Sequence, residues 1–214
     1  QQGLAYGLHL GHVDRAVHQV VQGIPAETPA HPRHHETHDG GGNRDAVAAG
    51  GEVAFNPKGR EVGFARKILL NEAGRTHPMF KGKASVFDAP CIHYDEVIRL
   101  PDSATLLASN AHSEIQAAVI PLGKSEVWAV QYHPEFDLAQ LVQLYTLYAE
   151  DMVAQGFFAD EPQLAAYRDN LAALASDPAN AGLAWQLGVD EDVLDDGTRR
   201  GEILAWIEAK VLGN

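Results

Sequence analysis

Two residues of this sequence, His133 and Glu135, have the types and the spacing of a catalytic pair. They follow the apolar run 127–130, which predicts a strand, and Pro134 ends ladder pairing because it has no N–H to donate. A carboxylate bonded to one ring nitrogen of a histidine leaves the other nitrogen to take a proton from a nucleophile. The pattern predicts His133 as a general base and Glu135 as its orienting partner. The alternative is a structural histidine at a strand end beside a surface glutamate.

The segments around this pair predict an open α/β sheet followed by helices. Runs rich in β-branched and aromatic residues, separated by turn residues, predict strands at 52–55, 62–70, 96–100, 105–108, 115–120 and 127–132. Apolar residues spaced three and four apart predict one long helix from Leu138 to Met152, ended by Gly156. Shorter helices are predicted at about 161–175, 179–187 and 198–211. We therefore expect His133 at the carboxyl end of a strand, where such sheets carry their sites.

The composition divides the 214 residues into three parts. Residues 1–45 are rich in His, Gly and Pro, with a helix predicted at about 10–22 and a loop over 23–42. Residues 46–156 carry the α/β pattern, and residues 157–214 are a predicted helical extension. The apolar residues of the extension, Trp185 and Trp206 among them, predict burial against the sheet or against a partner.

The charge and the apolar pattern exclude several function classes. A net charge of −13 disfavours nucleic-acid binding, which needs clustered Lys and Arg. The absence of an apolar run of 18 residues and of a signal peptide predicts a protein that is not in a membrane. The single cysteine, Cys91, cannot form an internal disulfide and fits a reducing compartment, so we expect a cytoplasmic protein.

Four short motifs occur in one order between residues 46 and 137. They are Ala48-Ala49-Gly50-Gly51, Gly59-Arg60-Glu61-Val62-Gly63, His93-Tyr94-Asp95-Glu96-Val97 with Leu100-Pro101, and Val130-Gln131-Tyr132-His133-Pro134-Glu135. They resemble, in the same order, the A-x-G-G, G-x-E-x-G, S-H-x-D-x-V…L-P and G-V-Q-F-H-P-E motifs of class I glutamine amidotransferases. That family includes the glutaminase domain of GMP synthase.

The resemblance implies a flavodoxin-like open sheet that hydrolyses glutamine to glutamate and ammonia without a metal or other cofactor. In the family, a cysteine in G-x-C-x-G-x-Q forms a γ-glutamyl thioester while backbone N–H groups hold the oxyanion. Carried over, His133 is the base and Glu135 its orienter, and the backbone around His93, Tyr94 and Asp95 lines the glutamine pocket. For Asp95 the alternative is a carboxylate in a strand turn. An ammonia-accepting synthetase is a possible partner.

The sequence departs from the family at the nucleophile. Counting back eleven residues from Gly50 leads to Asp39, in Asp39-Gly40-Gly41-Gly42-Asn43, where the family has C-x-G-x-Q. An Asp side chain cannot form the thioester, so this chain as written is expected to be inactive. Residues 1–38 also lack the strands expected before the nucleophile. A shifted reading frame or truncated gene model, a diverged N-terminal region and a pseudo-enzyme remain as explanations.

Two other features offer chemistry of their own. Cys91 lies two residues before His93, but it follows Pro90 at a predicted strand edge without flanking glycines, which favours a buried structural thiol. The cluster His31, His34, His35 and His38 has the ligand type for zinc or nickel but no H-E-x-x-H spacing, which favours adventitious metal affinity.

Three functions stay open at this point. The first is an amidotransferase of the glutaminase type or a related γ-glutamyl hydrolase. The second is an inactive binding or regulatory module that keeps the fold and the pocket. The third is a His-rich metal-binding protein on an unrelated fold.

Overall fold

The computed structural model describes residues 46–213, and all structural statements below refer to them. The strands are β1 (Glu52–Phe55), β2 (Glu61–Leu70), β3 (Val86–His93), β4 (Asp95–Arg99), β5 (Thr105–Ser109), β6 (Ala117–Leu122) and β7 (Ser125–Val130). The α-helices are α1 (Glu72–Thr76), α2 (Leu138–Leu147), α3 (Ala149–Ala154), α4 (Glu161–Ser176), α5 (Ala181–Leu187), α6 (Glu191–Leu194), α7 (Asp196–Arg199) and α8 (Gly201–Trp206). A 3₁₀ turn covers Pro78–Phe80, and a π-turn, Ile207–Val211, follows α8.

The described strands form two antiparallel sheets. One has the order β3-β2-β5-β6-β7, and the other pairs β1 with β4. A two-residue turn joins β6 to β7, with Leu122 opposite Ser125 and Gly123 at φ 59°, the positive φ that such turns require. Strand β3 lies at an edge, which tolerates Pro90 because the missing N–H would face away from the ladder.

The five-stranded sheet curls until its two edges approach each other. Strands β3 and β7 stand at opposite ends of the strand order. Even so, the backbone N–H of His133, three residues beyond β7, donates to the carbonyl oxygen of Pro90 in β3 at 2.7 Å. The curl therefore brings His133 beside the edge strand that contains Cys91.

Apolar residues fill both faces of the sheet, because successive side chains of a strand point in opposite directions. In β2, Ala65 belongs to a core with Phe87 and Tyr132. The neighbouring Phe64 belongs to the core made by helices α2 and α4, which includes Leu141. The α/β fold class predicted from the sequence is confirmed, with the helices after β7 covering one face.

Two helix predictions need correction. The single helix predicted from Leu138 to Met152 is interrupted at Tyr148, which has φ −104° and ψ 23°, so α2 and α3 are separate. The helix predicted at 198–211 is divided into α7, α8 and the π-turn. Apolar spacing continues past Tyr148, because Tyr145 and Met152 belong to the same core. The spacing alone does not show where the backbone turns.

None of the predicted strand ranges covers β3, although a strand edge is expected near Cys91. Its sequence holds Asp88 and Pro90, both of which are rare in strands. Asp88 is buried, and its carboxylate accepts from Arg66 Nη1 and from the backbone N–H of Lys67. Partners contributed by β2 thus stabilise a strand that its own residues do not favour.

The C-terminal extension buries only part of its apolar surface. Leu187 and Val193 join the helical core, whereas the Trp185 side chain is 85% exposed. Trp185 is therefore not buried against the sheet, and burial against a partner, the other alternative predicted for it, stays a prediction. No helix between residues 46 and 213 has both the length and the apolar character to cross a membrane.

Candidate active site

The segment between β7 and α2 carries His133 and is held at both ends. On its N-terminal side, Gln131 N–H donates to Gln116 O at 2.9 Å. On its C-terminal side, Asp137 caps α2 in a capping box, with its side chain accepting from Gln140 N and the Gln140 side chain accepting from Asp137 N. A rigid strand end and a capped helix therefore fix the residues between them.

His133 and Glu135 make the predicted contact. Nδ1 of His133 lies 2.8 Å from Oε1 of Glu135, within hydrogen-bond distance. The imidazole also stacks on Phe136, with ring centres 4.2 Å apart and planes 6° apart. Nε2 of the ring is buried and makes no hydrogen bond to the described part of the chain. An ionised Glu135 accepts a hydrogen from Nδ1 and leaves Nε2 with a free lone pair.

His93 lies inside the protein and has no open face toward a ligand. Its side chain is fully buried, with Nε2 2.9 Å from Oε2 of Glu61 and Nδ1 3.0 Å from the carbonyl oxygen of Asp95. A carbonyl oxygen can only accept, so Nδ1 carries a hydrogen. The side chain of His93 thus holds the backbone of Asp95 in place. A role in the glutamine pocket stays a prediction for the backbone of this segment.

Tyr94 packs beside a buried cation. The guanidinium carbon of Arg60 lies 3.8 Å from the centre of the Tyr94 ring and 5.0 Å from that of Tyr148. The Tyr94 hydroxyl accepts from Gln155 Nε2 at 2.5 Å. Tyr94 therefore joins the predicted pocket segment to α3 and the loop after it.

Glu61 contacts the predicted pocket segment through His93, a role that its motif did not predict. Burial raises its pKa, but hydrogen bonds from His93, Asn110 and Gln116, with the charge of His93, outweigh burial and hold the pKa below its ordinary value. Glu61 is therefore ionised at neutral pH and forms a second, internal His–Glu pair. The sequence signal for this pair is the glutamate of the Gly59–Gly63 motif.

Cys91 has no access to solvent or to a reactant. Its exposed fraction is 0%, and burial, together with the charge of Glu61, raises its pKa well above the ordinary value. A nucleophilic cysteine needs an accessible thiolate. The geometry supports the structural role expected for Cys91.

The remaining candidates fall on residues that the structure does not describe. Asp39, the predicted nucleophile position, and the cluster of His31, His34, His35 and His38 both lie outside residues 46–213. Among the described residues no three His, Cys, Asp or Glu side chains are grouped to hold a metal ion.

Comparison with known proteins matches the segment that carries this site to a family model. The model of class I glutamine amidotransferases matches residues 46–144, a range that includes His133 and Glu135. Residues 46–144 therefore match the class I glutamine amidotransferase family.

Two relatives show different extents of similarity. A γ-glutamyl-L-1-hydroxyisopropylamide hydrolase of a Pseudomonas species is 33% identical over 171 residues, which cover 78% of this chain and 57% of that protein. The glutamine-hydrolysing GMP synthase of Chlorobium limicola is 33% identical over 107 residues, or 49% of this chain and 19% of that protein. The chain thus spans little more than half of the first relative and a fifth of the second.

Among solved structures, a glutamine amidotransferase from Thermotoga maritima aligns with a TM-score of 0.43. The alignment has 18% sequence identity and covers 70% of this chain and 57% of that one.

Proposed function

We propose that the site of this amidotransferase-family chain is built to cleave a γ-glutamyl amide, with His133 as general base and Glu135 as its orienting carboxylate. The observation that carries this proposal is the 2.8 Å contact from His133 Nδ1 to Glu135, which leaves Nε2 buried and unbonded within the described residues. Nε2 is the atom that would take a proton from a nucleophile and return it to the leaving amine.

The chain as written supplies two of the three groups that this chemistry needs. A thiol that attacks the amide carbon is absent at Asp39, and Cys91 is sealed in the core. We therefore propose that this chain binds γ-glutamyl compounds without turning them over. A synthetase that accepts ammonia belongs to this proposal only as the partner that the family implies.

The similarity to the Pseudomonas hydrolase supports a substrate class that is wider than glutamine. Its match covers 78% of this chain, so it must continue past residue 144 into the C-terminal helices wherever it begins. The GMP synthase match covers only 49%. This difference favours a γ-glutamyl amide of an amino alcohol over glutamine itself as the better ligand.

Ligand titration by NMR tests the proposal on the chain as it exists. Addition of L-glutamine or a γ-glutamyl alkanolamide is expected to shift the amide signals of His93, Tyr94, Asp95 and His133, with the larger affinity for the alkanolamide. D-Glutamine serves as the control and should leave these signals in place. Shifts that are absent with both L-ligands, or equal for D-glutamine, would contradict the proposal.

A further inference from the structure

A buried carboxylate of the C-terminal extension contacts Tyr132, the residue that precedes His133. Glu202 of α8 is 4% exposed, and its Oε1 accepts from the Tyr132 hydroxyl at 2.7 Å. Burial, with the charge of Glu202, raises the pKa of Tyr132 well above its ordinary value, so the hydroxyl keeps its hydrogen and donates it. Nothing in the family motifs requires this contact, because residue 202 lies far beyond the matched range.

A buried lysine completes the arrangement. The Lys83 side chain is 2% exposed, and its Nζ lies 2.9 Å from the Glu202 carboxylate. The same ammonium donates to the carbonyl oxygens of Thr198 at 2.9 Å and Arg199 at 3.4 Å. The three hydrogens of Lys83 thus go to the extension, and the charge of Glu202 is neutralised where water is excluded.

A buried ion pair with such hydrogen bonds orients the groups it contacts more than it stabilises the fold. A buried ion pair contributes little net stability compared with apolar residues of the same volume, because both charges lose their hydration. Hydrogen bonds to charged groups are short and directional. Tyr132 is accordingly held at its hydroxyl by Glu202 and at its ring by the edge contact with Phe87, whose centre is 5.7 Å away.

Tyr132 and His133 are joined by one peptide unit, so a restraint on Tyr132 also restrains the backbone of His133. The His133 N–H is held by Pro90 O at 2.7 Å. Tyr132 is thus held on the side of α8, one residue before the ring whose Nδ1 lies 2.8 Å from Oε1 of Glu135. We propose that Glu202 is a positioning residue for His133, which it orients through Tyr132. The proposal rests on the role of His133 as the general base.

The test removes the Tyr132 hydroxyl alone. Tyr132→Phe leaves the Lys83–Glu202 ion pair and the Phe87 contact in place. The readout is the Nδ1–H of His133 in protein labelled with ¹⁵N-histidine, assigned by its disappearance in His133→Gln. We expect Tyr132→Phe to shift the ring ¹⁵N signals and to speed exchange of this hydrogen on the order of tenfold, the factor that one net hydrogen bond corresponds to.

Matched variants separate positioning from simple docking of the extension. Glu208→Gln removes the exposed ion pair with Lys81, at 3.4 Å, and should leave the His133 signals unchanged. Asp192→Asn weakens another contact of the extension, the hydrogen bond that Asp88 N–H donates to the Asp192 carboxylate at 3.2 Å. This variant should lower the melting temperature without moving the His133 signals. Glu202→Gln should act in the same direction as Tyr132→Phe.

Two results would overturn the proposal: unchanged His133 signals in Tyr132→Phe, or equal changes in Asp192→Asn at an equal loss of melting temperature. Neither result bears on the proposed function, which fails instead if the wild-type chain binds no γ-glutamyl ligand. The two failures are therefore distinguishable.

Discussion

Oε1 of Glu135 lies 2.8 Å from Nδ1 of His133, on the side of the ring opposite the buried Nε2. The carboxylate is part-exposed while the ring is mostly covered, so the pair reaches from solvent into the protein. A charge in that position selects the tautomer with its hydrogen on Nδ1.

The first prediction concerns this tautomer. Glu135→Ala should lower the fraction of His133 with hydrogen on Nδ1, because the acceptor that selects it is removed. The ¹⁵N shifts of the two ring nitrogens, which differ between tautomers, measure the change. Glu114→Ala, at an exposed glutamate, is the control and should leave the shifts as they are. A tautomer ratio that is the same in Glu135→Ala and wild type would show that Glu135 does not orient the ring.

The second prediction is that this chain releases no ammonia from glutamine above background. A general base that acts on water, the role proposed for His133, gives rate factors of ~10² to 10⁴, against the ~10⁶ or more typical of enzymes. Cys91→Ala should give the same background, and Cys91 should resist thiol reagents until the protein is unfolded. Ammonia release that Cys91→Ala abolishes would make Cys91 the nucleophile.

The third prediction follows from the depressed pKa of Glu61. Its folded value lies below the ordinary 4.5, so ionised Glu61 stabilises the fold fully above about pH 4.5. That contribution is lost as the pH falls through the folded pKa. Glu61→Gln should cost about 3 kcal/mol at pH 7, as expected for breaking a buried pair.

Urea unfolding of wild type and Glu61→Gln between pH 7 and pH 3 measures the effect. The difference in the free energy of unfolding should narrow below about pH 4.5. Glu114→Gln is the control and should show a small difference that does not change with pH. If this difference in the free energy of unfolding stayed constant down to pH 3, the pKa of Glu61 would be the same in the folded and unfolded states.

The fourth prediction concerns Gly63, which lies opposite Cys91 in the sheet. Its φ is +85°, and a Cβ added there would collide with the Tyr145 hydroxyl of α2. Gly63→Ala should therefore lower the free energy of unfolding by about 3 kcal/mol, from strain and overlap together. In the Tyr145→Phe background part of this loss should disappear.

Gly123→Ala provides the matched control for backbone strain. Gly123 also has positive φ, +59°, but a Cβ there has open space around it. Its substitution should cost about 1 kcal/mol. Equal losses at Gly63 and Gly123 in chemical denaturation would show that the approach of α2 to β2 is looser than the structure indicates.

The sequence was sufficient where a local pattern decides the structure. The strand-then-His-Pro-Glu order predicted both the place of His133 and its contact with Glu135, because the two residues are close in the chain. Gly123 likewise marks the turn before β7. Contacts between distant residues were not accessible in this way.

The Glu61–His93 pair, the Tyr132–Glu202 bond and strand β3 each depend on a partner found elsewhere in the chain. A buried charged residue has the same letter as an exposed one, and only the fold shows which glutamates lose their water. The same holds for Trp185, whose apolar character predicted a burial that α5 does not provide.

The pairing of Lys83 with residues 198–202 also sets an order of events during synthesis. The sheet strands and Tyr132 leave the ribosome before Glu202, about 70 residues later in the chain, which takes roughly 4 to 14 s at the usual ~5–20 residues per second. Until then the Lys83 ammonium has none of its final acceptors and must stay hydrated. The nascent sheet therefore cannot close over Lys83 on its own, and the Tyr132 hydroxyl gains its acceptor only when α8 arrives.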